Sequence, residues 1–324
     1  MKAILQKEFG GADQLYLGEH PTPYPSEDEL LIKVNVAGVN RADILQRQGK
    51  YPPPKGASKI IGLEIAGKVI EKGSEVTEWA IGDHIYGIIP GGGYAEYAVI
   101  HKNMAIPVPK NISLEEAAAI PEAYLTAYQS LVWLAGIKPE DKVLIHAGAS
   151  GVGTAAIQLV KHVGATCIIT SSKAKHETCF RLGSDYGIDY HTEDFLEVIS
   201  TNFGGVDIII DFLGASYFER NIKSLNKDGR LVMLALMGGI KLEQLNVAPI
   251  VLNRLKITGS TLRSRSLDYQ VKLTQEFKTK IAPHFDSEKL KPVVDSVFSW
   301  KDVKQAHEYM ENNKNIGKIV LKID

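Results

Sequence analysis

The chain has 324 residues, of which 44% are hydrophobic and 23% charged, with a formal net charge of −1. That is the composition of a soluble globular protein long enough for two domains, and its near-zero charge argues against a general nucleic-acid or membrane-surface binder. No apolar run is long enough to span a bilayer, the N-terminal MKAILQKEFG has no signal-peptide pattern, and two cysteines, Cys167 and Cys179, build neither a disulfide framework nor a cysteine zinc cluster. A reducing, cytoplasmic setting is therefore expected.

Residues 1 to about 120 read as short strands and turns. Pro21, Pro23 and Pro25 form an extended lead-in to Leu30-Leu31-Ile32-Lys33-Val34-Asn35-Val36, whose end alternates. Gly62 to Val69 is a second strand, interrupted by Gly67 and closed by Lys72-Gly73, and Asp83 to Ile89 and Tyr94 to Ile100 are two more, joined through Pro90-Gly91-Gly92-Gly93. Short strands with glycine punctuation suggest a β-barrel-like domain. At Ser113-Leu114-Glu115-Glu116 a serine N-cap with acids behind it starts a helix. Pro121 interrupts it, and a second helix runs from about Glu122 to Ala135, stopping at Gly136.

An alternation of strands and helices follows. Strands fit at 142–147, 166–171, 187–190, 206–212, 230–236 and 255–261, with helices near 152–163, 174–182, 193–202, 215–226 and 246–253. Such a series implies a doubly wound parallel sheet with its ligand at the carboxyl ends of the strands. After Arg263 the pattern loosens into amphipathic helices at 267–281 and 301–310, and the chain closes on the apolar strand Gly317 to Ile323. That strand needs a sheet to join. The economical arrangement returns it to the first domain, which gives a substrate domain of 1–121 with 264–324 and a nucleotide domain of 122–263. There is no internal repeat.

The most informative stretch is KVLIHAGASGVGTAAIQLVK, Lys142 to Lys161. A short buried strand, glycines at 148, 151 and 153, and an apolar helix come in the order that makes a dinucleotide fingerprint meaningful. The glycines let the backbone approach a pyrophosphate, and the free N–H groups at the helix start hold its charge. In such sheets an acid about 20 residues past the glycines grips the ribose 2′-hydroxyl of NAD. Here that position falls in Thr170-Ser171-Ser172-Lys173-Ala174-Lys175, and no acid lies between Gly148 and Glu177. Hydroxyls and lysines in place of a carboxylate suit a 2′-phosphate, so the expected cofactor is NADPH, with Ser172 and Lys175 beside the phosphate.

Several segments together resemble the medium-chain dehydrogenase/reductase superfamily, in the zinc-free quinone oxidoreductase branch that includes zeta-crystallin. They are Val39-Asn40-Arg41-Ala42-Asp43, Gln46 to Pro54, the Ala147–Gly153 turn, Thr258 to Arg265, and Asn315-Ile316-Gly317-Lys318-Ile319-Val320-Leu321. The resemblance implies a Rossmann doubly wound parallel sheet inserted in a chaperonin-10-like β-barrel substrate domain, and a homodimer. It implies that Gly148, Ala149, Ser150, Gly151 and Val152 meet the pyrophosphate and that Lys175 and Tyr190 flank the 2′-phosphate. Thr126, Leu236, Met237, Gly238, Leu262, Arg263 and Asn315 fall where the family holds the nicotinamide half.

Zinc dehydrogenases of the superfamily carry a cysteine just after the equivalent of Val36-Ala37-Gly38-Val39 and a histidine inside a Gly-His-Glu triplet. This chain has Asn40 near the first position and Gly62-Leu63-Glu64 at the second, and only Pro90-Gly91-Gly92-Gly93 where a four-cysteine lobe belongs. No catalytic metal is expected, because the sulfur ligands are absent. Without a Lewis acid to hold an alkoxide, plain alcohol oxidation lacks its charge stabiliser, whereas a quinone or an enone disperses the incoming charge itself. Tyr51, ahead of Pro52-Pro53-Pro54, and Asn40 are the candidates to hydrogen-bond the substrate carbonyl. The expected activity is NADPH-dependent quinone reduction. The alternatives are a reductase of enones or 2-enoyl thioesters and a non-catalytic NADPH-binding protein.

Overall fold

The computed structural model describes all residues, Met1–Asp324. The chain divides into two compact units, Met1–Leu125 with Arg263–Asp324, and Thr126–Leu262. In the first unit, strands β1 (Lys2–Gln6) and β2 (Leu15–Glu19) form an antiparallel pair. They are followed by β3 (Glu29–Val39), β4 (Glu64–Lys72), β5 (His84–Ile88), β6 (Tyr97–His101) and β7 (Ile106–Pro107). The second unit contributes β8 (Lys142–Ile145), β9 (Thr166–Ser171), β10 (Tyr186–Asp189), β11 (Val206–Asp211), β12 (Leu225–Met233) and β13 (Lys256–Gly259). The chain then returns to the first unit with β14 (Val294–Ser299) and β15 (Lys318–Lys322).

The large sheet of the first unit has the order β14-β15-β3-β4-β5-β7, with β6 also on β3. β3 is its spine. Register shifts against β4 bend it, so that Glu29–Lys33 pair with β6 and Val36–Val39 pair with β15. Covered along its length, β3 reads as a nearly continuous buried run rather than an alternating one. The terminal strand β15 lies antiparallel to β3, with Ile319 opposite Val39, and parallel to β14, which completes the sheet at that edge.

Two elements here differ from the sequence reading. Asn40 is not a turn residue but the N-cap of a helix, Arg41–Arg47, that starts as soon as β3 ends. The Asp43 carboxylate accepts from the Asn40 backbone N–H at 2.8 Å, a capping arrangement that the spacing Asn40-x-x-Asp43 permits. The expected helix 122–135 is an α-helix only over Pro121–Tyr128 and continues as a π-helical turn, Gln129–Leu134, before Gly136 with φ +60°. Serine capping at Ser113 is as expected, with Glu116 returning the bond.

The second unit is a parallel sheet in the order β10-β9-β8-β11-β12-β13. From β8 the chain proceeds outward one way through β9 and β10, then returns to β11 and proceeds the other way. The crevice between the two directions opens at the carboxyl ends of the strands, where ligands of such sheets bind. Leu144, Ile168, Ile188, Ile209 and Leu231 from five strands pack against Phe195, Ile199 and Ile222 from the covering helices. Each such side chain contributes roughly 1.5–3 kcal/mol on burial, which makes the sheet a rigid platform for the loops that follow it.

Candidate active site

In the second unit, every loop named by the sequence reading follows the carboxyl end of a strand. After β8 the turn passes through Ala147, a non-glycine residue at φ +49°, and reaches the helix Gly151–Val163. A Cβ on Gly148 would stand 2.6 Å from the Ile169 side chain, and one on Gly153 would stand 2.5 Å from the Ala147 and Gly148 carbonyl oxygens. Close packing therefore demands glycine at both places. Ser150 caps the helix, its Oγ accepting from the Gly153 N–H at 3.1 Å. The N–H groups of Gly151 and Val152, in the first turn, have no acceptor within the helix and sit at its positive end. A turn held this tightly, with donors aimed outward, fits a diphosphate.

After β9 come buried Ser171, half-buried Ser172 and a single 3₁₀ turn carrying exposed Lys173 and half-buried Lys175. The Ser172 carbonyl accepts from the Lys175 N–H at 2.9 Å, so the two residues share one turn. Tyr190, 48% exposed, follows β10 with its ring against His191. Beyond β12 the Met237 and Gly238 N–H groups donate to Phe212 and Leu213 carbonyls at 3.1 and 2.7 Å, tying that loop to the one after β11. A Cβ on Gly238 would collide with the Ser216 side chain. Leu236 and Met237 are 51% and 52% exposed, and Leu262, beyond β13, is buried. Thr126 lies in the helix Pro121–Tyr128, its carbonyl accepting from Ser130 Oγ at 2.7 Å.

His146, read from sequence as an ordinary core residue, is buried at the end of β8. Its Nδ1 meets Thr170 Oγ1 at 3.0 Å and its Nε2 meets Asn221 Oδ1 at 2.7 Å. Burial pushes its pKa down to about 4, so it remains a neutral tie between β8, β9 and the helix Ala215–Ser224.

In the first unit the structure assembles a polar cluster that the sequence reading touched only at Asn40 and Tyr51. Lys318, at the start of β15, is buried, and its ammonium donates to the Val39 carbonyl (3.0 Å), to Asn40 Oδ1 (2.6 Å) and to the fully buried Glu64 carboxylate. Asn40 Nδ2 donates to the same Glu64 oxygen at 2.8 Å, so the Asn40 amide is clamped at both ends with one N–H left over. Gly38 makes room for this: a Cβ there would stand 2.1 Å from Glu64 Oε1. The second Glu64 oxygen accepts from the backbone N–H of Glu122 at 2.8 Å.

Asp43 accepts from Tyr94 Oη (3.2 Å) and the Gly62 N–H (3.3 Å) in addition to its bond from Asn40. Tyr94 Oη also meets His307 Nε2, and His307 Nδ1 meets Arg47 Nη1, both at 3.3 Å. Arg47 can only donate, so His307 carries its proton on Nε2, in keeping with burial that pushes its pKa down to about 3. Arg47 ends the chain in an ion pair with Glu311 at 2.6 Å.

Tyr51 is half-buried, with the Arg263 guanidinium 5.4 Å from its ring centre. Arg263 donates through Nε and Nη2 to the Pro90 carbonyl at 2.9 and 2.6 Å, while its Nη1 is buried with no hydrogen-bond partner. Asn315 donates from Nδ2 to the Gly317 carbonyl at 2.7 Å, a local turn contact. Burial raises Asp43 to about 7; burial and then repulsion from Glu64 raise Glu122 to about 8. Burial, then the nearby Glu122, hold the Tyr51 phenol above its usual range, so it is a hydrogen-bond donor at neutral pH. Leu63 is buried core, and no group of three or more His, Cys, Asp or Glu side chains is placed to hold a metal ion. The signals for Glu64, Glu122 and Lys318 were single charged residues inside apolar stretches, which sequence spacing alone does not bring together.

Comparison with known proteins agrees with this architecture. The alcohol dehydrogenase GroES-like domain profile matches residues 26–110, and the zinc-binding dehydrogenase profile matches 182–321. The chain is 32% identical to the synaptic vesicle membrane protein VAT-1 homolog of Mus musculus, over 99% of this chain and 83% of that protein. It is 32% identical to the 2-methylene-furan-3-one reductase of Solanum lycopersicum, over 99% and 79%. Among solved structures, the quinone oxidoreductase from Coxiella burnetii superposes with a TM-score of 0.82 at 33% identity, covering 100% of this chain and 99% of that one. A mycobacterial protein complexed with NADPH does so at 0.87 and 28%, covering 99% and 100%. The chain belongs to the medium-chain dehydrogenase/reductase superfamily of oxidoreductases.

Proposed function

We propose that the chain is an NADPH-dependent quinone reductase that works without a metal. The observation that carries this reading is the Tyr51 phenol, kept protonated in a shielded setting beside a guanidinium, in a unit with Asn40 and Leu63 where zinc dehydrogenases have ligands. Bound NADPH supplies the hydride. The chain's own part is to hold and to stabilise. The N–H groups of the 148–152 turn receive the pyrophosphate, and Ser172, Lys175 and Tyr190 take the 2′-phosphate. Thr126, Leu236, Met237, Gly238, Leu262, Arg263 and Asn315 surround the nicotinamide half. Tyr51 donates to the acceptor's carbonyl oxygen, where charge collects as the conjugated system is reduced, and Asn40 orients that group through its remaining N–H. The likeness to the Coxiella burnetii quinone oxidoreductase supports the acceptor class, and the NADPH-bound relative supports the cofactor.

A second reading, reduction of enones or 2-enoyl thioesters, is favoured by the 2-methylene-furan-3-one reductase among the relatives. NADPH oxidation, followed by absorbance with quinones, short enones and crotonyl thioesters, separates the two. Faster turnover of quinones is expected. Faster turnover of the enones moves the assignment to the second reading, and cofactor binding without turnover of any acceptor overturns both.

The protein is read as cytoplasmic; no helix is long and apolar enough to cross a membrane. It is also read as a homodimer. β13 is the outer strand of the second unit's sheet, and its unpaired edge invites a second copy across a two-fold axis.

A further inference from the structure

Three carboxyl groups of the first unit, Asp43, Glu64 and Glu122, gather around one ammonium, Lys318. Their situations differ. Glu64 is fully buried and committed on both oxygens, to Lys318 and Asn40 on one side and to the Glu122 backbone on the other. Asp43 is fully buried and accepts three hydrogen bonds, from Asn40, Gly62 and Tyr94. Glu122 is the half-buried member, placed on the first turn of the helix Pro121–Tyr128. It is therefore the carboxyl that exchanges protons with solvent. It also couples two neighbourhoods. Glu64, Asp43, Lys318 and Arg263 act on its charge, and its charge acts in turn on Tyr51, which Arg263 faces from the other side.

We propose that Glu122 is a positioning residue that sets the acidity of the Tyr51 phenol: as the neutral acid it leaves Tyr51 free to release its proton, and once ionised it suppresses that release. The inference rests on the role given to Tyr51 above. In the reductive step the nicotinamide hydride brings two electrons to the acceptor. The Tyr51 O–H bond breaks as the acceptor's O–H bond forms, and the negative charge left on the phenolate oxygen is removed by a proton from water. An ionised carboxylate beside that oxygen opposes the charge at the moment it forms, and a shielded site does little to screen it. Because Glu122 titrates at about 8, the switch lies within the working range of pH.

Glu122→Gln mimics the neutral acid without changing shape, and Glu122→Asp restores a titrating group. The first measurement is independent of turnover: NMR of ring-labelled tyrosine, with the Tyr51 signal assigned by its loss in Tyr51→Phe. Tyr51 is expected to ionise at a pH lower by roughly one unit in Glu122→Gln than in the unmodified protein, with Glu122→Asp close to unmodified. The second is the pH profile of kcat with the best acceptor, expected to fall through about 8 in the unmodified protein and in Glu122→Asp but not in Glu122→Gln. An unchanged Tyr51 ionisation in Glu122→Gln overturns the proposal, as does an unchanged alkaline descent. A shifted Tyr51 in a protein that reduces no acceptor supports the coupling and counts against the reductase reading alone.

Discussion

Replacing Lys318 by methionine removes the one ammonium in contact with Glu64 while keeping the length and much of the apolar stem. Lys318 and Glu64 have side-chain exposures of 4% and 0%, so neither charge is screened by water. The variant leaves a carboxylate inside the sheet with only the Asn40 amide and the Glu122 N–H as donors. Breaking a buried pair on one side costs about 3–5 kcal/mol, because the remaining charge is uncompensated. For a unit of this size that lowers its melting temperature by on the order of 6–20 °C. The stranded Glu64 is then easier to protonate than a free carboxyl, so its destabilisation grows as pH rises from 5 to 8. The double variant Lys318→Met with Glu64→Gln leaves no charge behind and is expected to recover most of the loss. Differential scanning calorimetry of the three variants at both pH values gives the comparison. A loss below about 1 kcal/mol in the single variant, the scale of an exposed pair, refutes the view that Lys318 holds a buried carboxylate.

Further outcomes follow from the same geometry. Lys175→Glu places an acid beside the hydroxyls of Ser171 and Ser172, and the KM for NADPH is expected to rise well above that for NADH; an unchanged preference would sink the phosphate assignment. Tyr51→Phe should lower kcat with little change in NADPH affinity measured by cofactor fluorescence, and equal kcat with a good acceptor removes Tyr51 from the chemistry. His146 and His307 are held neutral at about 4 and about 3, below the ordinary value of 6.5. Their depressed values mean that the unfolded chain takes up protons first as pH falls. Stability should drop below about pH 6.5 by up to roughly 1.4 kcal/mol per pH unit for each histidine. Urea titrations at pH 7, 6 and 5 measure the slope, and a flat response contradicts the buried placement of both rings.

Much of the second unit was legible because its signals are local. The strand at 166–171 was delimited by its own apolar run and is β9 exactly, and Gly164 and Ser150 mark the helix ends as sequence said. The polar cluster of the first unit was not legible, for a physical reason. Asn40, Glu64, Glu122 and Lys318 come from four separate segments, and only the pairing of β15 and β4 with β3 brings them together. Sequence could place Asn40 after a strand, but not show that its amide would be taken up by Lys318 and Glu64. The helix Arg41–Arg47 was missed because it follows β3 without a break, although Asn40 and Asp43 carry a capping signal. β14 was missed because VDSVFS is only half-buried and owes its place to β15.

The central claim is metal-independent hydride delivery from NADPH to a conjugated acceptor. Its most direct test is the single-turnover rate of NADPH oxidation after exhaustive dialysis against a chelator, with protium or deuterium at the transferred C4 position and a quinone as acceptor. The account predicts a rate that chelation leaves unchanged and deuterium slows. Loss of oxidation on chelation with recovery on adding zinc, or a failure of every quinone and enone to oxidise bound NADPH, would contradict it.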